Sequence, residues 1–152
     1  MMIRLTFDPF DPGALLTEFC RDRKEVGAVA TFTGLARAEE GSTTLLELEA
    51  YPGFTEARIE EIVGRARVRF KLDDVAILHR VGKIGPGEPV VFVATAARHR
   101  RAAFEACDFL MDYLKSKAPF WKKELGPDGA RWIEPRPEDH ADLARWEKET
   151  ST

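Results

Sequence analysis

The sequence predicts a single α+β domain, spanning 1–152, with a mixed, mainly antiparallel sheet and packed helices. Three observations support this class. The 152 residues are 44% hydrophobic and 32% charged, as expected for one globular domain. Apolar residues recur at helical spacing in two long segments. The predicted strands come in adjacent pairs, in the order β-α-β-β-α-β-β-α, which differs from the strict alternation of a parallel fold.

The first third of the chain alternates helix and strand signals. An apolar run over 5–10 is followed by an aspartate and a proline, an N-cap and first-turn pair that predicts a helix over 12–23. The segment 26–33 is rich in β-branched and small residues and predicts a buried strand. A polar loop over 35–42 then leads to 46–50, where apolar and acidic residues alternate as in a strand with one wet face.

The middle of the chain predicts two long helices around a strand pair. Apolar residues spaced by three and four predict an amphipathic helix over 55–70. Strands over 75–81 and 89–96, joined by tight turns, predict a hairpin-like antiparallel unit. The second helix starts near 98 and should end near Lys117, because Pro119 disfavours helical geometry at the residue before it.

The C-terminal segment is shorter and more polar. It predicts a turn over 126–129, a short strand over 131–134 and a final polar helix from about Pro137. No internal repeat or interdomain linker interrupts the chain.

Charge and composition narrow the class of function. The formal net charge is −3, from 23 basic and 26 acidic side chains, so bulk electrostatics do not predict binding to nucleic acid or to an acidic membrane. No stretch reaches the roughly 18 apolar residues of a membrane span, and no secretory signal is visible, which predicts a cytoplasmic location. Cys20 and Cys107 lack zinc-ligand spacing and are expected to be reduced thiols. No metal or cofactor is predicted.

The first candidate site is the basic run 98–101, where a strand leads into a helix. A helix N-terminus offers unpaired N–H groups and partial positive charge, so arginine there makes a receptor for phosphate or carboxylate. A solvated basic turn explains the same residues, and spacing alone leaves both readings open.

The second candidate site is the segment 115–124, which holds four lysines and two aromatic residues. Lys115 and Lys117 have a structural explanation, because cations favour the C-terminal end of a helix. The proline break could also fold Lys122 back towards Lys115. Two ammonium groups that close would favour loss of a proton from one of them, which suits general acid/base or nucleophilic work. His79 and His140 are weaker candidates, interpreted as a satisfied core or edge histidine and a solvent-facing one.

Several short motifs occur in the order and at the distances of one known family. They lie at 27–34, Arg37, 49–55, 79–82, 97–100, 104–106, 111–115 and 122–124. Together they resemble the large subunit of molybdopterin synthase, over about 26–146.

The resemblance implies a fold, an activity and partners. The fold is an α+β hammerhead, and the large subunits form a homodimer within a heterotetramer. Each end of that assembly carries a small ubiquitin-like sulfur-carrier subunit, whose C-terminal Gly-Gly tail is a thiocarboxylate. The implied activity is that of a sulfurtransferase: two sulfurs pass from the carrier to cyclic pyranopterin monophosphate, a step of molybdenum cofactor biosynthesis that forms the dithiolene of molybdopterin. The resemblance implies no bound cofactor.

The resemblance also implies site residues. Lys115 and Lys122 match catalytic pocket lysines, and Lys115, where the carrier tail ends, is the stronger catalytic candidate. The further substrate-binding positions are Arg37, His99, Arg100, Lys123, Glu124 and Arg136. The sequence departs from the pattern at Leu35 and Ala36, where relatives often carry a lysine, so no side-chain contact to substrate is expected from Leu35.

Two other functions are compatible with the same residues. A non-catalytic module could dock acidic protein tails or single-stranded RNA by charge and stacking, although the acidic net charge disfavours RNA. A phosphate-ester transferase on the same scaffold would turn over without a carrier protein.

Overall fold

The computed structural model of the protein describes residues 1–37, 45–127 and 129–149. The predicted loop over 35–42 and turn over 126–129 therefore lie partly outside the described residues. In chain order the elements are β1 (Met2–Thr6), α1 (Pro12–Cys20), β2 (Ala28–Leu35), β3 (Leu45–Ala50), α2 (Phe54–Phe70), β4 (Asp74–Arg80), β5 (Gly82–Ile84), β6 (Pro89–Ala97), α3 (Arg100–Ser116), β7 (Phe120–Gly126), β8 (Gly129–Ile133) and α4 (Pro137–Glu149).

The strands form two sheets. The central sheet has the order β1-β4-β6-β2, and the second sheet has the order β5-β3-β7-β8. Only the β1–β4 pair is parallel among the described pairs, and the other pairs are antiparallel. The expected α+β class with a mixed, mainly antiparallel sheet is confirmed.

The main core lies between the central sheet and helices α2, α3 and α4. Strands β4 and β6 are almost entirely buried, and their side chains Val75, Ile77 and Val93 pack with Ile59 of α2 and Leu110 of α3. Helix α1 covers the opposite face of this sheet. The predicted strand pair 75–81 and 89–96 is confirmed as the antiparallel pair β4–β6.

The direction of α3 determines which end of the molecule carries its last turn. The Thr95 hydroxyl, near the end of β6, donates a 2.7 Å hydrogen bond to the Ala103 carbonyl, near the start of α3. The helix therefore runs back along the sheet, and its C-terminal turn lies at the end where β6 begins. It ends at Ser116, as Pro119 predicted.

Two strands of the structure do not appear among the predicted elements. The segment expected to contain only tight turns holds β5, and the segment around Lys122 is the strand β7. Both pair with β3, so their formation depends on contacts distant in sequence. Helix α1 also ends earlier than expected, because Arg21 is extended and Asp22 has a left-handed φ of 57°.

One glycine is required by close backbone packing at the start of β2. A Cβ on Gly27 would lie 2.1 Å from the Arg98 carbonyl oxygen. We expect Gly27→Ala to destabilise the protein by about 1–3 kcal/mol, because either β2 or the turn before α3 must shift. Urea unfolding monitored by circular dichroism measures this.

The matched control is Gly64→Ala. Gly64 is an exposed residue inside α2, and a Cβ there meets no atom within 4 Å. Alanine should leave stability unchanged or raise it by up to about 1 kcal/mol. Equal unfolding midpoints for the two variants would contradict the packing argument at Gly27.

Candidate active site

The end of α3 brings three predicted site residues together. Lys115 lies in the last turn of the helix, where a cation interacts favourably with the helix dipole. Although Lys115 keeps solvent-accessible surface, partial burial by its surroundings lowers its pKa. The positive charge of Lys122 lowers this pKa further, as does Arg136, while Asp139 opposes the shift. We refer to Lys115, Lys122 and Arg136 as the cationic cluster.

The start of α4 is tied to this cluster by Asp139. One carboxylate oxygen of Asp139 lies 3.2 Å from the Arg136 guanidinium, and the other accepts a 3.0 Å hydrogen bond from the Arg136 backbone N–H. Partial burial acts to raise the pKa of Asp139, but these bonds outweigh it and lower that pKa. The Ser116 hydroxyl donates to the Asp139 carbonyl at 3.2 Å, which joins the end of α3 to α4. Arg136 itself remains exposed.

His79 lies beside the cluster at the end of β4. It is buried, its Nδ1 is 2.8 Å from the Arg80 carbonyl oxygen, and its ring stacks on Phe120. Burial lowers the pKa of His79 to about 4; the hydrogen bond opposes this and the charge of Lys115 adds to it. The imidazole is therefore neutral at neutral pH. The sequence interpretation of a core histidine agrees with this burial, but nothing in the sequence pattern indicated its proximity to Lys115.

The strand β7 divides the predicted run of substrate contacts between two faces. Side chains alternate along a strand, so Lys122 and Glu124 lie on the face of Phe120, and Lys123 lies on the other. The Lys123 ammonium sits 4.4 Å from the centroid of the Trp132 ring. The structure does not bring Lys123 to the cationic cluster.

Glu124 shares the face of Lys122 but already has a partner. Its carboxylate accepts a 2.8 Å hydrogen bond from Arg131 on the neighbouring strand β8. Any contact between Glu124 and a substrate would have to share this carboxylate with the Arg131 guanidinium.

Arg37 is exposed at the end of β2, on the same end of the central sheet as the cluster. Leu35 pairs with Pro89 at the start of β6, and His79 pairs with Val91 two residues further along. The residue before Arg37 is held by two backbone hydrogen bonds, of 2.9 and 2.7 Å, to the turn at 87–88. Arg37 is thus placed on a fixed backbone, with its side chain in solvent.

His99 and Arg100 lie at the opposite end of α3 from Lys115. His99 is the N-cap residue without a side-chain capping bond, and both side chains are exposed. Helix α3 has 17 residues and rises about 1.5 Å per residue, so Arg100 is about 22 Å from Lys115 along the axis. Within one chain, these two residues do not meet the cationic cluster.

A separate hollow of about 550 Å³ lies between β3, β5 and the ends of β1 and α2. Its charged lining residues are Glu47, Glu49 and Glu56. Three carboxylates would repel an anionic ligand, so the lining of this hollow is electrostatically unsuited to binding an anion. Among the described residues, no group of three His, Cys, Asp or Glu side chains is placed to hold a metal ion. None of the described helices is long and apolar enough to span a membrane.

Comparison with known proteins identifies relatives along nearly the whole chain. The MoaE protein family matches residues 5–117. A molybdopterin synthase catalytic subunit from Caulobacter vibrioides is 65% identical over 149 residues, covering 98% of this chain and 99% of the relative. The solved MoaE protein from Burkholderia ambifaria is 47% identical, with a TM-score of 0.82 and coverage of 95% and 97% of the two chains. Molybdopterin synthase from Staphylococcus aureus is 29% identical, with a TM-score of 0.77 and coverage of 85% and 94%.

These matches confirm the family resemblance seen in the motifs. The family match covers most of the chain, the curated relative covers almost all of it, and the two solved relatives share its fold at 47% and 29% identity. This chain therefore belongs to the MoaE protein family, to which it is joined both by sequence and by fold.

Proposed function

We propose that this chain is the catalytic subunit of molybdopterin synthase. It transfers sulfur from the thiocarboxylated C-terminus of a small ubiquitin-like carrier subunit to cyclic pyranopterin monophosphate, and so forms the dithiolene of molybdopterin. The observation that carries the proposal is the cationic cluster: Lys115 lies in the last turn of α3, which hydrogen bonds join through Ser116 and Asp139 to Arg136, and the charge of Lys122 lowers the pKa of Lys115. The 65% identity to a protein named as a catalytic subunit supports both the activity and the need for a second kind of subunit.

The charges of the two reactants explain why such a cluster is useful. The pterin carries a cyclic phosphate and the carrier tail ends in an anionic thiocarboxylate, so two negative groups must be held together. Fixed cations offset their repulsion and the charge that develops as sulfur attacks and oxygen leaves. A lysine with a lowered pKa exchanges its proton closer to neutral pH, so Lys115 can serve as general acid/base or as a transient nucleophile.

A homodimer would complete the site with His99 and Arg100. Strand β2 is an edge of the central sheet, and its sequence AVATFTGL has no charged residue or proline to block pairing. Its Phe32 side chain is 40% exposed. Suppose that two β2 strands pair antiparallel about a two-fold axis. The end of one strand, which leads to Arg37, then lies beside the start of β2 in the partner chain. In each chain the start of β2 lies next to the basic run 98–101. We therefore assign His99 and Arg100 of each chain to the other chain's site.

The decisive test of the function is reconstitution. The purified chain is mixed with a thiocarboxylated carrier protein and the pterin precursor, and dithiolene formation is measured. Product should form only when all three are present. Turnover without the carrier would favour a phosphate-ester transferase. Strong, steeply salt-dependent RNA binding with no dithiolene product would favour a binding module.

The shared site has its own test, a mixed dimer of Lys115→Ala and Arg100→Ala chains purified through two different tags. Each homodimer should be strongly impaired. The mixed dimer should regain about half of the wild-type sites, because one site then receives both mutations and the other none. No gain over the two homodimers would show that both residues act in the same chain's site.

We also place the protein in the cytoplasm. Cys20 is an exposed free thiol and Cys107 a buried one, which is compatible with a reducing compartment. Fractionation of cells that express a tagged chain tests this assignment.

A further inference from the structure

His79 and Phe120 form a direct contact between the two sheets. His79 is a buried residue near the end of β4 in the central sheet, and Phe120 is the first residue of β7 in the second sheet. Their ring centroids are 4.1 Å apart and the ring planes are within 19° of parallel. No ladder hydrogen bonds join β4 to β7, so this stack is a side-chain contact across the boundary between the sheets.

The imidazole is held in a fixed orientation. A carbonyl oxygen can only accept, so Nδ1 of a neutral His79 donates the 2.8 Å hydrogen bond to the Arg80 carbonyl. Arg80 is itself anchored: its buried guanidinium lies 2.8 Å from the Glu88 carboxylate and donates to the Lys83 carbonyl at 3.1 Å. The hydrogen bond to the Arg80 carbonyl therefore orients the ring on which Phe120 packs, and the ion pair with Glu88 helps to hold Arg80 in place.

Phe120 is the first residue of the β3–β7 ladder and lies between the stack on His79 and the cluster residue Lys122. Residues 117–119 alone connect the end of α3 to Phe120, and the Phe120 N–H bonds to the Ala118 carbonyl at 2.9 Å. Lys122 lies two residues later, on the same face of β7. A shift of Phe120 along or away from β4 would therefore carry Lys122 with it, while Lys115 stays with the helix.

We propose that His79 is a positioning residue, whose stack on Phe120 fixes the start of β7 and thereby holds Lys122 beside Lys115. The expected effect on catalysis rests on the proposed function. The expected effect on the position of Lys122 does not depend on it. The contact also keeps a neutral ring where an imidazolium would add another positive charge. The charge that acts on the imidazole is that of Lys115 from α3, and the charges of Lys122, Arg136 and Asp139 act in turn on Lys115.

The test compares His79→Ala, which removes the stack, with His79→Phe, which keeps an aromatic ring. The ionisation of Lys115 is followed in the full-length protein by NMR of ¹³C-labelled lysine, with the signal assigned through Lys115→Arg. His79→Ala should move the Lys115 midpoint upward by about half a pH unit or more, because Lys122 is no longer held close. Sulfur transfer should fall by about 10- to 100-fold through misplacement of the cluster.

His79→Phe should restore both readouts to near the wild-type level. The control is Phe19→Ala, which removes a buried aromatic ring on the opposite face of the central sheet. It should lower thermal stability without moving the Lys115 midpoint or the turnover, all measured at a temperature at which every variant is folded. If His79→Ala does not fold, Phe120→Leu removes the stacked partner instead, with the same upward shift expected.

Two results would overturn the proposal. One is a wild-type Lys115 midpoint in folded His79→Ala or Phe120→Leu. The other is failure of His79→Phe to restore the midpoint, which would assign the effect to the imidazole nitrogens and not to the stack. Full activity of Lys115→Ala would instead remove the catalytic role of Lys115, and the NMR midpoints would still report on the positioning contact.

Discussion

Lys115→Ala should lower the rate of sulfur transfer by about 10²- to 10⁴-fold, the range over which a positioned acid/base group acts. The loss should be catalytic and not structural, because Lys115 is an exposed residue in the last turn of α3. Single-turnover dithiolene formation, with thiocarboxylated carrier in excess, measures the chemical step. Lys117→Ala is the matched control: it is an exposed lysine two residues further on, outside the cationic cluster, and should keep most of the activity.

The pH dependence and an arginine variant separate the possible roles of Lys115. If the neutral amine is the reactive form, the rate should rise with pH through the pKa of Lys115, at a lower pH than an ordinary lysine because that pKa is lowered. Lys115→Arg keeps the charge but cannot release a proton near neutral pH, so it should remain inactive. Substantial activity in Lys115→Arg would reduce the role of Lys115 to charge stabilisation.

The largest effect on stability is expected for Phe109→Ala. Phe109 is 1% exposed on the inner face of α3, and its ring centroid lies 5.5 Å from Phe70, 5.5 Å from Trp146 and 4.4 Å from Tyr113. This cluster joins α2, α3 and α4. Removing the central ring should cost about 3–5 kcal/mol, from lost burial and the remaining cavity, out of a typical total of about 5–15 kcal/mol. Urea unfolding followed by circular dichroism gives the difference.

Phe104→Ala provides the comparison on the same helix. Phe104 is 64% exposed, so its loss should change the free energy of unfolding by no more than about 0.5 kcal/mol at equal protein concentration. If both phenylalanine variants unfold at the same urea concentration, the ring cluster does not carry the packing of the three helices.

The elements that could be predicted are those whose pattern is local. Helices α2 and α3 show apolar residues at a spacing of three and four, and β4 and β6 are short apolar runs bounded by turn residues, so their bounds follow closely from the sequence. Strand β7 has no such pattern, since Lys122, Lys123 and Glu124 hide the alternation. It forms because its backbone pairs with β3, which lies far away in the chain.

The candidate site likewise has a part that follows from local sequence and a part that depends on tertiary packing. Amino-acid order was sufficient to place Lys115 in the last turn of a helix and the basic run 98–101 at the helix start, because helix ends follow from periodicity and from Pro119. The sequence motifs were also sufficient to indicate the family. Tertiary packing was needed to bring Lys115, Lys122, Arg136 and His79 together, because they come from α3, β7, the turn before α4 and β4. Packing likewise turned Lys123 away from that cluster, since the pairing of β7 with β3 fixes which side chains share a face.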